Sequence, residues 1–160
     1  MAKKQPHIVI IEDDVAFNKL LSTYLSSKGY RFVSYYYSGE ESLEKLNQKP
    51  DIVLQDFELP GMNGIETMKK IKEKYPSSIF IFLSGQTNIS IVVDAMKQGA
   101  YDYIVKNAFA KEDALNKIRN ISSTEEIKIE KKYYKYALFI FLTALLVSWL
   151  LFFTLFKFGR

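Results

Sequence analysis

The sequence contains no cysteine and only one histidine, His7. The absence of cysteine excludes disulfide bonds and thiolate metal sites, and it makes a reducing compartment the default expectation. We find no Ser–His–Asp set for nucleophilic catalysis and no second acid placed as a glycosidase pair. Residues 1–121 hold 16 basic and 15 acidic side chains, so this part of the chain lacks the positive charge of a nucleic-acid-binding face.

The sequence also contains no internal repeat and no low-complexity segment. The fold class is indicated by the pattern of hydrophobic residues. Five short apolar runs predict buried strands, at residues 8–11, 32–36, 52–54, 79–83 and 103–105. Helical spacing after each run predicts five helices, the first ending at Gly29 and the second opening with a capping box at Ser38–Glu41. The fourth helix, at about 88–98, is expected to bury Met96. The βαβαβαβαβα order predicts a doubly wound α/β fold with a parallel sheet and right-handed crossovers.

Chemically reactive side chains follow four of the predicted strands. Glu12 and Asp13 follow the first strand, and Asp56 follows the third. Ser84 follows the fourth strand and Lys106 the fifth. The carboxyl ends of parallel strands share one edge of the sheet, where such folds bind ligands. Clustered carboxylates favour Mg²⁺, and a lysine and a hydroxyl beside them suit phosphate oxygens, so the set predicts phosphoryl transfer onto a carboxylate.

Four motifs carry a resemblance to a known family: IEDD, VLQDFELPGMNG, FLSG and GAYDYIVK. With these motifs in this order and on these elements, residues 7–121 resemble the receiver domain of two-component response regulators. The resemblance implies a flavodoxin-like (βα)5 fold for a receiver domain spanning residues 1–121, with Mg²⁺ as its cofactor. Because His7 is a poor phosphodonor candidate, a separate sensor histidine kinase or phosphotransfer protein is the implied source of the phosphoryl group.

The resemblance gives a role to each acid that matches a family motif. Asp56 is implied to be the phosphoacceptor. Asp13 is implied to be the direct Mg²⁺ ligand, and Glu12 to act mainly through a water. Asp56 itself and the backbone carbonyl of Glu58 complete the implied set of protein ligands.

Three further positions match the family, with two departures. Lys106 and Ser84 are implied to act with the phosphoacceptor in catalysis, and Ser84 and Tyr103 are the implied switch residues. Ser84 stands where threonine is commoner. Asn107 follows the lysine where the family usually has proline and a cis bond, and a cis bond without proline costs about 3 kcal/mol. Either the strained bond is retained, or Lys106 approaches by another backbone path.

Residues 137–156 form a stretch of 20 residues without a charge. At a rise of 1.5 Å per residue this stretch would span about 30 Å, the thickness of a bilayer's hydrocarbon core, and it predicts a transmembrane helix. The basic and aromatic residues within 122–136 predict a helical linker and a cytoplasmic N-terminal side. Residues 157–160 form a short tail. The competing interpretation is a buried core helix, but a domain complete at about Ile121 has no cavity for it.

Together these patterns predict a membrane-tethered, single-pass, stand-alone receiver that accepts a phosphoryl group on Asp56. It is expected to signal through a downstream protein partner and not through nucleic acid. It is not expected to be a conventional enzyme, although it would take part in its own Mg²⁺-dependent phosphotransfer and dephosphorylation. The alternative is a phosphorylation-independent docking or scaffold module at the membrane, in which the acidic site is merely structural.

Overall fold

A computed structural model describes the backbone of residues 5–85 and 89–158, with side chains described except at 89–91, 125–130, 147 and 150–158. Within these residues five strands alternate with five helices. The strands are β1 Ile8–Ile11, β2 Val33–Tyr36, β3 Ile52–Asp56, β4 Ile79–Ser84 and β5 Asp102–Val105. The helices are α1 Val15–Ser27, α2 Gly39–Lys45, α3 Gly64–Lys74, α4 Ile89–Lys97 and α5 Ala110–Phe158.

The five strands form one parallel sheet in the order β2-β1-β3-β4-β5. The chain moves outward from β1 to β2 and then returns to β3 on the other side of β1, so the strand order reverses between β1 and β3. Ligands of open α/β sheets bind at such a reversal. Strands β1 and β3 are buried at every position, as expected for strands covered by helices on both faces. The predicted doubly wound α/β fold is confirmed.

The predicted strand limits agree with the structure to within two residues. The largest difference is at β3, which continues through Asp56, so this carboxylate ends the strand instead of following it. Strand β4 likewise includes Ser84. One face of the sheet packs against α3, where Met68 and Ile71 join Val53 in a fully buried cluster.

The capping box predicted at the start of α2 is present in a modified form. The Ser38 hydroxyl accepts the backbone N–H of Glu41 at 3.1 Å, as predicted. The Glu41 carboxylate accepts the backbone N–H of Tyr37 at 2.8 Å, one residue before the cap. Gly29 follows α1 with a φ of +93°, a left-handed conformation that favours glycine and ends the helix where predicted.

The predicted orientation of α4 is wrong at Met96. This side chain is 43% exposed, whereas the preceding residue, Ala95, is buried in the cluster that contains Phe80. Neighbouring positions on a helix point about 100° apart, and the small Ala95 lets the helix lie close to the sheet. The prediction relied on hydrophobicity alone, which favours Met96 over the smaller Ala95 at the buried position.

Contacts divide the chain into two units, Met1–Ile118 and Arg119–Arg160. The first unit contains the sheet, helices α1 to α4 and the beginning of α5. In the second unit α5 continues to Phe158, and the side chains of residues 138–146 are exposed although most of them are apolar.

Among the residues whose side chains are described, no helix is both long enough and apolar enough to cross a membrane. The membrane span predicted at residues 137–156 is therefore not confirmed, and its positions 147 and 150–156 lie outside the described side chains. The linker predicted over 122–136 does fall within α5. The domain limits at 121 and 136 stay predictions.

Candidate functional site

Acidic side chains from two neighbouring strands meet at the carboxyl edge of the sheet. Strands β1 and β3 are paired in register as far as Ile11 and Gln55, so the next residues on each chain, Glu12 and Asp56, come together. Glu12 has no exposed surface, and Asp56 is 5% exposed. Asp13 joins them from the exposed side, and one carboxylate oxygen of each residue lies within 4.8 Å of the other two.

Lys106 places its ammonium group between two of these carboxylates. Its Nζ lies 2.6 Å from Asp56 Oδ2, and 2.8 and 2.7 Å from Glu12 Oε1 and Oε2. The lysine side chain is 19% exposed, so the ion pairs are largely shielded from water. The structure thus brings together Glu12, Asp13, Asp56 and Lys106, while the roles implied for them stay predictions.

The sequence leaves open whether a strained cis bond follows Lys106 or whether the lysine approaches by another backbone path, and the structure shows the second alternative. No peptide bond among the described residues is cis. The backbone N–H of Lys106 donates to the Ser84 carbonyl at 2.8 Å. Asn107 then forms the turn that leads into α5: its side chain accepts the Phe109 N–H at 2.8 Å, and its carbonyl accepts the Ala110 N–H at 3.1 Å. This role of Asn107 is not among the predictions, although asparagine is typical of turns in which its side chain binds the backbone two residues further on.

Helix α1 contacts the cluster through its first turn. Asp14 caps the helix by accepting the backbone N–H groups of Ala16 and Phe17 at 2.8 and 3.1 Å. The backbone N–H of Asp14 donates to Glu12 Oε1 at 3.3 Å. The Phe17 ring centroid lies 5.3 Å from Lys106 Nζ, within the range of a cation–π interaction. The cap and the ring therefore support the buried acid and the lysine from the same side.

The second carboxylate oxygen of Asp56 faces the loop after β3. Oδ1 accepts the backbone N–H of Glu58 at 3.2 Å. Gly64 closes this loop, because its N–H donates to the Phe57 carbonyl at 3.2 Å. A Cβ at Gly64 would lie 2.5 Å from the Asp56 carbonyl oxygen, so only glycine fits there. The ligand role implied for the Glu58 carbonyl stays a prediction.

The two implied switch residues, Ser84 and Tyr103, differ in their exposure to solvent. Ser84 ends β4 and is buried, one position beyond Leu83, which is the partner of Asp56 in the β3–β4 register. Tyr103 pairs with Phe82 in the β4–β5 register, and it is 39% exposed. The structure therefore places Ser84 at the edge of the site and Tyr103 at the protein surface. Their switching roles stay predictions.

Burial and ion pairing act in opposite directions on the two buried partners. Burial raises the pKa of Glu12 to about 7, although the hydrogen bond from Lys106 acts to lower it. Burial also acts to lower the pKa of Lys106, but the hydrogen bonds to Asp56 and Glu12 outweigh it, and the pKa is raised above its ordinary value. The site thus combines an ammonium that keeps its charge with a carboxyl that titrates near neutral pH.

The donor set fits a hard divalent cation such as Mg²⁺. The cluster offers three carboxylates, and oxygen ligands of this kind are those that Mg²⁺ prefers. Three carboxylates against one ammonium leave an excess of negative charge, which a cation would neutralise. Asp13 is exposed, so water can reach the cluster from its side.

The chain matches a known protein family over most of its length. A family model for the response regulator receiver domain matches residues 8–119. The chain is 37% identical over 114 residues to the chemotaxis protein CheY of Thermotoga maritima, covering 69% of this chain and 95% of that protein. It is 36% identical over 107 residues to the transcriptional regulatory protein ZraR of Klebsiella oxytoca, covering 66% of this chain. It spans only 24% of that longer regulator.

Solved structures share the architecture. A CheY-like response regulator receiver domain protein from Methanospirillum hungatei superposes with a TM-score of 0.71 at 28% identity, covering 78% of this chain and 99% of that one. NtrX from Brucella abortus, solved in complex with ATP, superposes with a TM-score of 0.71 at 26% identity, covering 79% of this chain and 29% of that one. The match to the family model, over residues 8–119, includes all five strands and the residues of the acidic cluster.

We expect the free energy of unfolding to fall as the pH rises through the range in which Glu12 titrates, when no divalent metal is present. The pKa of Glu12 is about 7 in the folded protein, against an ordinary value of 4.5. The folded state therefore binds this proton more tightly than the unfolded state. The resulting stabilisation is complete below about pH 4.5 and is lost above about pH 7, and it amounts to at most about 3 kcal/mol.

Urea unfolding of the full chain in detergent and EDTA measures this contribution, with Glu12→Gln as the reference at each pH. The stability of the wild type relative to the variant should decline between about pH 5 and pH 8. Saturating Mg²⁺ should flatten the profile, because the cation favours the carboxylate. A difference that stays constant, or that grows in favour of the wild type, would show that Glu12 does not titrate in this way.

Proposed function

The chain belongs to the response regulator receiver domain family, and on this basis we propose that it accepts a phosphoryl group on Asp56 from a sensor histidine kinase or a phosphotransfer protein. The observation that carries the proposal is the approach of Lys106 to the acidic cluster at one edge of the sheet. The family supports a role in two-component signalling. The acceptor residue, the donor and the output are parts of the proposal.

The proposed reaction forms an acyl phosphate. A carboxylate oxygen of Asp56 attacks the phosphorus of a phosphohistidine on the donor protein, the P–N bond breaks, and the released imidazole takes a proton from solvent. Lys106, 2.6 Å from Asp56 Oδ2, would pair with the phosphoryl oxygens. When bound by Glu12, Asp13, Asp56 and the Glu58 carbonyl, Mg²⁺ would supply the further positive charge that phosphoryl transfer requires. Hydrolysis of the acyl phosphate would return the carboxylate.

Phosphorylation is proposed to shift a two-state equilibrium at β4 and β5. Ser84 lies one register position beyond the strand partner of Asp56, and its hydroxyl is proposed to move toward the phosphoryl group. That movement would leave space for the partly exposed Tyr103 ring to turn inward. The face formed by α4, β5 and the start of α5 would then change, and a downstream protein would bind one of its two forms.

We further propose that residues 137–156 attach the chain to a membrane in a single pass, with the receiver on the cytoplasmic side. The segment contains no charged residue, and side chains such as Phe139 and Ile140 are 65% exposed. Contact of so much apolar surface with water is unfavourable, and a lipid environment would stabilise it. Lys131, Lys132 and Lys135 precede the segment and suit anionic lipid headgroups.

Acetyl phosphate and Mg²⁺ should add the mass of one phosphoryl group to the purified full chain. Asp56→Asn should gain no mass, because an amide is not a nucleophile for this step. Asp51→Asn is a matched control: Asp51 precedes the same strand, binds the His7 N–H at 2.9 Å at the opposite edge of the sheet, and should not affect the reaction. Chelation of Mg²⁺ should slow the gain by roughly 100-fold or more. Intact-mass spectrometry measures each result.

Two outcomes would reject the proposed phosphorylation. A mass gain that persists in Asp56→Asn would place the phosphoryl group on another residue. No gain with any phosphodonor would favour the rival function, a docking module that binds its partner at the membrane without phosphorylation.

The membrane proposal is tested by deleting residues 131–160. The full chain should sediment with cell membranes and resist extraction with alkaline carbonate, whereas the truncated chain should be recovered in the supernatant. Leu146→Arg is a sharper variant, because Leu146 lies at the centre of the segment, where an arginine in a membrane helix costs about 3 kcal/mol and should weaken retention. Circular dichroism should show that the truncated chain keeps its fold.

Recovery of the full chain in the supernatant would show that residues 137–156 do not anchor it. Unfolding of the truncated chain would show instead that the segment belongs to a hydrophobic core.

A further inference from the structure

Gln55 carries a buried side-chain amide in strand β3, in which the three residues before it, 52–54, are all apolar. Its side chain has no exposed surface, and its neighbours in the sheet are Ile11 and Phe82. An amide among apolar side chains is unfavourable unless hydrogen bonds compensate. Gln55 Nε2 donates to the Gly64 carbonyl at 2.7 Å, but Oε1 has no hydrogen-bond partner within the described part of the chain. A contribution to stability explains such a half-satisfied group poorly.

The hydrogen bond from Gln55 joins two backbone segments that flank the proposed phosphoacceptor. The Gly64 carbonyl can only accept, so the NH₂ group of Gln55 must face it. Gly64 opens α3, and its backbone lies so close to Asp56 that an added Cβ would come within 2.5 Å of the Asp56 carbonyl oxygen. Gln55 therefore holds the first turn of α3 against the main chain of Asp56.

Residues 57–63 lie between these two points and form what we call the acceptor loop. Within it, the Glu58 N–H donates to the carboxylate of the proposed phosphoacceptor at 3.2 Å. From outside, Glu40 Oε1 accepts the Met62 N–H at 2.7 Å. The acceptor loop is thus held by an exposed carboxylate on α2 and by the buried amide of Gln55 in β3.

We infer that Gln55 is a positioning residue, which holds the acceptor loop so that the backbone of Glu58 reaches both the acceptor carboxylate and the metal. The inference rests on the proposed function, because the acceptor and metal roles belong to it. Gln55 acts through Gly64 and touches neither the phosphoryl group nor the cation.

The variants Gln55→Leu and Gln55→Met remove the amide and keep an apolar side chain between Ile11 and Phe82. Because the unsatisfied Oε1 is lost, the urea midpoint of the full chain in detergent should stay the same or rise. The affinity for Mg²⁺ alone, measured by calorimetry, should fall roughly tenfold, as for other groups that orient metal ligands. Ser78→Ala is the matched control: its buried hydroxyl donates to the Pro50 carbonyl at 2.7 Å at the opposite sheet edge. It should lower the midpoint and leave Mg²⁺ affinity unchanged.

Reduced Mg²⁺ affinity with a maintained midpoint supports the positioning role. Unchanged affinity overturns it, and so does a loss of affinity that accompanies an equal loss of stability. If neither variant folds, the wild type decides by NMR: Mg²⁺ should shift the side-chain amide of Gln55 together with the backbone amides of Glu58 and Gly64, and an unresponsive Gln55 overturns the inference. A wild-type chain that binds no Mg²⁺ overturns the proposed function as well, whereas normal wild-type binding with unaffected variants overturns the positioning role alone.

Discussion

Lys106 neutralises negative charge that the parallel strands concentrate at one edge of the sheet. Glu12 and Asp56 come together because each directly follows the last residue pair of the β1–β3 ladder, Ile11 and Gln55. Their carboxylate oxygens lie within 4.8 Å of each other, and two unit charges at such a distance repel by roughly 3 to 4 kcal/mol at an effective dielectric constant of about 20. The burial of Glu12 adds a desolvation cost. The ammonium lies within 2.8 Å of both groups and offsets these terms. It also leaves a compact positive charge beside the proposed acceptor.

The position of this ammonium depends in turn on how β5 ends and α5 begins. Lys106 is held to β4 through the Ser84 carbonyl, and Asn107 then forms the hydrogen-bonded turn that leads into α5. The proline that the family usually has at position 107 is thus replaced by a residue that fixes the same junction through hydrogen bonds. On the other side of the site, the acceptor loop is fixed by Gln55 and Glu40. The chemistry proposed for Asp56 needs both supports.

The sequence predicted the fold and the convergence of Glu12, Asp56 and Lys106 because strand order alone brings those strand ends to one edge. It could not predict contacts that depend on side-chain geometry. A single polar residue after an apolar run does not predict that the Gln55 amide donates a hydrogen bond to Gly64 at the start of α3. Helical spacing likewise could not decide whether Met96 or the smaller Ala95 faces the sheet, since packing distance settles that choice.

The decisive experiment is a comparison of the free energy of unfolding of Lys106→Met, alone and combined with Glu12→Gln, in the full chain at about pH 8 without divalent metal. We expect the single variant to lose about 3 kcal/mol, because two carboxylates lose the cation that they share. The double variant should recover most of that loss, because one of the two charges is gone. A Lys106→Met chain as stable as the wild type, or a double variant less stable than the single one, would show that the lysine does not hold the site together.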